Sequence, residues 1–142
     1  MPRGPGFFIF LTVLLWGIAG LIDKLTLRAL GPNETFVVRM GVNAGLSLAV
    51  FFWGWLPARA AVVAAGKLPV ILITASLVLT LTGVFCYIKA LSSGEALRIV
   101  PLSSTFPLVT FLLALGFLGE AFSWTKLAGT VMICAGVGLL AF

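Results

Sequence analysis

The sequence between residues 99 and 107 reads Ile99-Val100-Pro101-Leu102-Ser103-Ser104-Thr105-Phe106-Pro107, inside a segment that is otherwise apolar enough to cross a membrane. A proline within a helix lacks an N–H and clashes with the carbonyl four residues earlier, so the carbonyls of Leu97 and Ser103 are predicted to lose their usual partners. Such a break in lipid is tolerated only where hydroxyl side chains, a neighbouring helix or a watery cavity satisfies the backbone. The stretch therefore predicts a helix that faces a pore or a substrate, with Pro101 and Pro107 as its breaking residues.

The composition of the whole chain is typical of a membrane protein. Of 142 residues, 61% are hydrophobic and only 9% are charged, and there is no histidine. Since one crossing needs about 20 apolar residues, the sequence predicts an all-α integral membrane protein with five transmembrane helices in a single domain, residues 1–142. The predicted helices are Gly6–Leu27, Glu34–Leu56, Leu68–Ala90, Glu95–Leu118 and Trp124–Phe142.

The basic residues outside the middle of the spans are divided evenly between the two sides of the membrane. The orientation of a membrane protein normally follows an excess of Lys and Arg in the cytoplasmic loops. Here the balance predicts dual topology, with copies inserted both ways and paired as an antiparallel homodimer. The side of the N-terminus carries Arg3, Arg59, Lys67 and Lys126, and the opposite side carries Lys24, Arg28, Lys89 and Arg98.

Polar and aromatic side chains recur at helical spacing on the first three spans, which indicates a shared central cavity. The alternatives are that the isolated hydroxyls bond their own backbone and that Lys24 is an anchor at the membrane surface. The stripes are Thr12, Trp16, Gly20 and Asp23 on the first span, Thr35, Arg39, Asn43 and Ser47 on the second, and Ser76, Thr80, Gly83 and Tyr87 on the third.

Asp23 and Arg39 start from the same side of the membrane, so we expect them to lie close together, because buried charges need partners. A purely structural pair is as compatible with the sequence as a substrate-binding pair. In the fourth span, Arg98 is expected near Ser104 and Thr105. The glycines of the fifth span, Gly129, Gly136 and Gly138, allow close helix packing and are assigned to assembly.

Groups for acid–base or metal chemistry are missing from the sequence. There is no histidine, no pair of carboxylates at a useful spacing and no metal-ligand cluster, and Cys86 and Cys134 stand alone. We therefore expect neither an enzyme nor a metal site, and no cofactor. The expected partners are a small-molecule solute, the lipid bilayer and a second membrane subunit, with no nucleic acid.

The order of several short motifs resembles an EamA-type repeat of the drug/metabolite transporter superfamily. The motifs are Trp16-Gly17 followed by Lys24, Gly31-Pro32, Arg39, Tyr87-Ile88-Lys89-Ala90-Leu91, Gly94-Glu95-Ala96-Leu97-Arg98, Pro101-Leu102-Ser103-Ser104, Pro107, Leu118-Gly119-Glu120, and Gly129 with Gly136. The resemblance implies a five-helix repeat that usually occurs twice, with the halves inverted around a central substrate cavity. Family members move amino acids, related metabolites and other small solutes.

This chain carries one repeat, as in shorter bacterial and archaeal members, so the resemblance implies a prokaryotic cytoplasmic membrane and pairing with an inverted copy or a related five-helix subunit. Related four-helix multidrug exporters have a proton-coupling glutamate eight residues before a lysine. Trp16 stands eight residues before Lys24 here, and Asp23 is the one residue that could take the place of that glutamate. The departure argues against proton-coupled export of lipophilic cations.

The leading interpretation is a secondary transporter or facilitator of a small polar metabolite, with a cavity between two inverted protomers. The alternative is a non-transporting membrane subunit, or one half of a heteromeric transporter. Basic residues outnumber acidic ones near the predicted cavity, which favours anionic or zwitterionic solutes, and the prolines would let the fourth helix bend. The predicted cavity residues are Trp16, Asp23, Lys24, Arg39, Asn43, Thr80, Tyr87, Arg98, Ser104 and Thr105.

Overall fold

The computed structural model describes residues 5–119 and 121–139. Six α-helices account for most of these residues, and no strand occurs among them. The prediction of an all-helical protein is therefore confirmed for the described part of the chain. The helices are α1 (Pro5–Thr26), α2 (Pro32–Ala65), α3 (Lys67–Ser93), α4 (Ala96–Ser103), α5 (Phe106–Phe117) and α6 (Trp124–Leu139).

Four helical segments are long and apolar enough to cross a membrane: α1, α2, α3, and α4 taken together with α5. Their lengths are 22, 34, 27 and 22 residues, and α6 is a shorter apolar helix of 16 residues. At a rise of about 1.5 Å per residue, the four long segments each match or exceed the ~30 Å of hydrocarbon. The last three residues of the predicted fifth span, 140–142, lie outside the described residues.

The second helix is longer than the sequence suggests. The span predicted to end at Leu56 continues through Pro57 to Ala65, and α3 begins at Lys67. The predicted bounds of the second and third helices, which left residues 57–67 outside both, are therefore wrong. The segment after Pro57 is rich in alanine, the strongest helix former, and this outweighs the one backbone donor that the proline removes.

A single residue, Gly66, joins α2 to α3. Its φ of 78° lies in the left-handed region, which glycine adopts without a steric penalty. Its N–H donates to the Val63 carbonyl at 3.3 Å and closes the end of α2. The reversal between the two longest helices therefore takes place at one backbone position.

The contact between Phe36 and Phe85 shows that α2 is bent. The two ring centroids are 5.1 Å apart. A straight helix from Phe36 to Ala65 would be about 44 Å long, whereas the helix from Lys67 back to Phe85 is about 27 Å long. The difference of about 17 Å along the axis is too large for two rings in contact, so α2 must turn. Pro57 lies inside α2, and we place the bend there because sharp bends in helices occur at prolines.

The fourth span is interrupted between its two prolines. Pro101 lies inside α4, Ser104 and Thr105 form a turn, and Pro107 falls in the first turn of α5. The turn is wound tighter than an α-helix, because the Ser104 N–H donates to the Pro101 carbonyl and the Thr105 N–H to the Leu102 carbonyl. The interruption therefore lies within the stretch that the sequence singled out.

The chain divides into two units. One joins the residues up to Lys24 to those from Ser93 onward, and the other comprises Leu25–Ser92. Within the first, α6 packs against α4 and α5. Within the second, Ile88 and Leu91 are fully buried and Thr35 is 4% exposed. Between residues 41 and 80, by contrast, every residue except Gly54 is exposed, so the middle of α2 does not pack against the first half of α3.

Candidate functional site

Lys24, near the end of α1, is held by the backbone of the α3–α4 connection. Its ammonium group donates a hydrogen bond of 2.6 Å to the Gly94 carbonyl, 70 residues away in sequence. Both atoms are partly buried. Lys24 therefore contributes to holding the first unit together, besides any contact it makes with a solute.

Two other predicted site residues lie on the same helix. Trp16 is 68% exposed, so its indole presents a broad surface to whatever surrounds α1. Asp23 is half-buried and has an interaction partner. Asp23 belongs to the first unit and Arg39 to the second, and their pairing stays a prediction.

The hydroxyls of the interrupted span bond to nearby carbonyls of the same span. Ser103 and Ser104 both donate to the Val100 carbonyl, at 2.7 Å and 3.1 Å, and Thr105 donates to the Leu102 carbonyl at 2.8 Å. The Ser104 N–H, which in a regular α-helix would donate to the Val100 carbonyl, donates to Pro101 instead, whereas the Leu102 carbonyl already accepts from the Thr105 N–H. None of the three hydroxyls donates to the carbonyl of Leu97 or Ser103, the two that the prolines are predicted to leave without their usual donors. Each hydroxyl oxygen keeps the ability to accept a hydrogen bond.

The remaining predicted residues of the first unit differ in exposure. Arg98 is exposed on α4 and has an interaction partner, and Pro101 and Pro107 are half-buried. The α6 glycines are open to their surroundings: a Cβ added at Gly129, Gly136 or Gly138 would meet nothing within 4 Å. The close packing predicted for these glycines is not made within the described residues, and their role in assembly stays a prediction.

In the second unit, four predicted site residues lie on α2 and α3. Arg39 and Tyr87 are half-buried and have interaction partners, whereas Asn43 is exposed. The Thr80 hydroxyl donates to the Ser76 carbonyl one turn earlier, at 2.8 Å. Thr12, Thr74 and Thr82 make the same kind of bond. For these threonines the structure favours the simpler interpretation, in which the hydroxyl bonds its own helix.

Thr35 is a residue whose significance the sequence does not reveal. Thr35 is only 4% exposed, and its Oγ1 has no hydrogen-bond partner among the described residues. A buried hydroxyl without a partner costs free energy, which a water, a solute atom or a group from another chain would recover. The sequence places Thr35 in the polar stripe of α2 with Arg39, Asn43 and Ser47. The burial of Thr35 depends on contacts with other parts of the chain, which the stripe does not show.

Comparison with known proteins identifies the family. The chain matches the EamA-like transporter family over residues 5–142, which is nearly its full length. The chain belongs to that family. No curated protein and no solved structure matches it.

Membership of the EamA-like family, together with the long apolar helices, makes this an integral membrane protein of transporter type. Members of this family are transporters rather than enzymes. In the described part of the chain, no group of three or more His, Cys, Asp or Glu residues is placed to hold a metal ion. The structural features to be explained are therefore those of solute passage: an interrupted span, partly buried charges and polar groups within apolar helices.

Proposed function

We propose that the protein is a secondary transporter or facilitator of small polar metabolites, amino-acid-like or organic anions and zwitterions, in a prokaryotic cytoplasmic membrane. The main support for this proposal is that the chain belongs to the EamA-like transporter family, which it matches over residues 5–142. The interrupted fourth span adds support, because transporters bind solutes at discontinuous helices, where the backbone offers polar groups that a regular helix does not.

The cavity in this proposal forms between two inverted copies. A single repeat reaches the geometry of two inverted repeats only by pairing, and the even division of basic residues suits insertion in both directions. Arg39 and Arg98 supply positive charge for an anionic group, while Trp16 and Tyr87 supply aromatic surface for an apolar part of the solute. The Lys24 ammonium is tied to Gly94, so we assign it mainly to positioning α1.

Flux through reconstituted protein tests the proposal. The purified protein is placed in liposomes, and uptake of a panel of amino acids and organic anions is measured against empty liposomes. We expect at least one solute to equilibrate faster. Replacing both Pro101 and Pro107 by alanine should lower that flux, because the interrupted span would become a regular helix that bends less readily.

The control for this variant is the Pro69→Ala protein, which changes a proline in the first turn of α3, outside the interrupted span. Unchanged flux in the double-proline variant would refute the bending role. Absence of flux for every solute, with a stably bound second membrane protein, would favour the alternative of a non-transporting subunit.

A further inference from the structure

Two polar side chains in the middle of α2 lack hydrogen-bond partners. Asn43 and Ser47 are both exposed, and neither side chain makes a hydrogen bond or ion pair with the described residues. They lie one turn apart, near the centre of the α2 arm that precedes Pro57. They therefore place an amide and a hydroxyl near mid-membrane with nothing in the second unit to satisfy them.

Lipid is a poor occupant for this face of α2. Acyl chains offer no donor or acceptor, and an amide without a partner in hydrocarbon is costly. Leucine or alanine at these positions would avoid that cost. The face is therefore suited to a surface that can hydrogen-bond.

The face that carries Asn43 and Ser47 is also the face on which α2 meets α3. At 100° per residue, Phe36, Asn43 and Ser47 lie within about 40° of one another, and Phe36 contacts Phe85. Further along α2 the two helices no longer pack together. A shallow indentation of about 360 Å³ lies on this open part of the face. It is lined by Leu46, Ser47, Val50 and Phe51.

We propose that this face of α2 binds the same face of α2 in a second, inverted copy of the chain, with each Asn43 hydrogen-bonded to Ser47 of the partner subunit. This proposal rests on the inverted pair proposed above and names the helix at its centre. In an antiparallel pair with its two-fold axis at the level of Gly45, residue 43 of one copy meets residue 47 of the other. The pair then contains two Asn43–Ser47 hydrogen bonds, one from each copy.

The exposed apolar surface around these residues is large enough for such a contact. Leu46 is 65% exposed, Val50 73%, Phe51 49% and Trp53 89%. Taking about 180 Å² for a full side chain, within the range for aromatic ones, these four expose roughly 500 Å² per copy. Leu46 and Trp53 lie about 80° and 100° from Phe36 around α2, so they border the contact, and about 1,000 Å² is the most that these four can bury in the pair. That is about the lower limit for a specific interface, before Asn43, Ser47 and their neighbours are counted.

Cysteine cross-linking tests the proposal, using cysteine-free protein in which Cys86 and Cys134 are replaced by alanine. Met40→Cys and Val50→Cys chains carry different tags and are co-reconstituted in liposomes. Residues 40 and 50 are equally far from the level of residue 45, so an antiparallel pair brings them together and separates identical positions by about 15 Å. We expect cross-links between the two variants at least fivefold above those of either variant alone.

The matched control is Gly41→Cys with Ala49→Cys. These positions are at nearly the same levels but on the opposite side of α2, and a side chain at Gly41 meets nothing within 4 Å. Cross-links of the control pair equal to the test pair would overturn the proposal. So would cross-links only between identical positions, which indicate a parallel pair, and so would no cross-links at all.

Asn43→Leu separates the hydrogen bond from the apolar contact. Losing two interhelical bonds should weaken dimerisation about tenfold, measured as the dimer dissociation constant in liposomes of fixed composition. An unchanged constant, with or without altered flux, overturns the proposal, because Asn43 then faces lipid, water or the solute. Flux of the cysteine-free parent is measured in the same liposomes. Cross-linking without flux supports the α2 interface and refutes transport. Flux without cross-linking supports transport and refutes the α2 interface.

Discussion

Replacing Lys24 by methionine should destabilise the protein measurably. Methionine keeps most of the length of the side chain and removes the charge and the donor, so the 2.6 Å bond to the Gly94 carbonyl is lost. Hydrogen bonds to charged groups contribute about 1.5–3 kcal/mol. Because both partners are only partly buried, solvent screening reduces that value. We expect a loss of about 1.5 kcal/mol in the free energy of unfolding.

The measurement is SDS-induced unfolding in mixed micelles, followed by the fluorescence of the four tryptophans. Lys67→Met is the control, because Lys67 is exposed at the first residue of α3 and its side chain has no hydrogen bond or ion pair within the described residues. A Lys24→Met protein no less stable than Lys67→Met would refute a stabilising role for the Lys24–Gly94 bond.

Two further substitutions test the second unit. Thr35→Val removes a buried hydroxyl without a partner and should stabilise the protein by about 1 kcal/mol in the same unfolding assay. The control is Thr74→Val, at an exposed threonine bonded to its own helix, which should change stability by less than about 0.5 kcal/mol. Destabilisation by Thr35→Val would mean that the hydroxyl binds something. Pro57→Ala should straighten α2 and lower severalfold the yield of bismaleimide cross-linking between Phe36→Cys and Phe85→Cys in a cysteine-free chain, relative to the neighbouring Leu56→Ala control. An equal yield in both would contradict the bend at Pro57.

The broken span shows how far the sequence predicts this fold. The interruption lies in the 99–107 stretch because a proline cannot donate to the helix, and that is a local property. The acceptors of the hydroxyl bonds are harder to foresee. Serine and threonine reach only carbonyls three or four residues back, so Ser103 and Ser104 bond to Val100 once the turn tightens. Both the position of the interruption and the acceptors of its hydroxyls follow from short-range chemistry.

The candidate site was less accessible to sequence reasoning, because its partners are distant. The sequence shows Lys24 as a charged residue near the end of a helix. Its acceptor is a backbone carbonyl 70 residues away, and a backbone carbonyl cannot be recognised from the type of side chain. Thr35 and Asn43 share one stripe, yet one is buried and the other exposed. Helical periodicity gives the direction of a side chain about its own helix; it does not give what lies opposite.

The one-residue junction at Gly66 has a practical consequence for engineering this protein. The helix bounds predicted from the sequence leave residues 57–67 as the longest gap between two helices, which would make them the first choice for an inserted epitope or an internal fluorescent fusion. They are instead two helix ends and one glycine. An insertion there would cut helical turns, whereas residues 27–31, the non-helical turn between α1 and α2, interrupt no helix. Reporter insertions that locate the two faces of the membrane therefore belong in that turn.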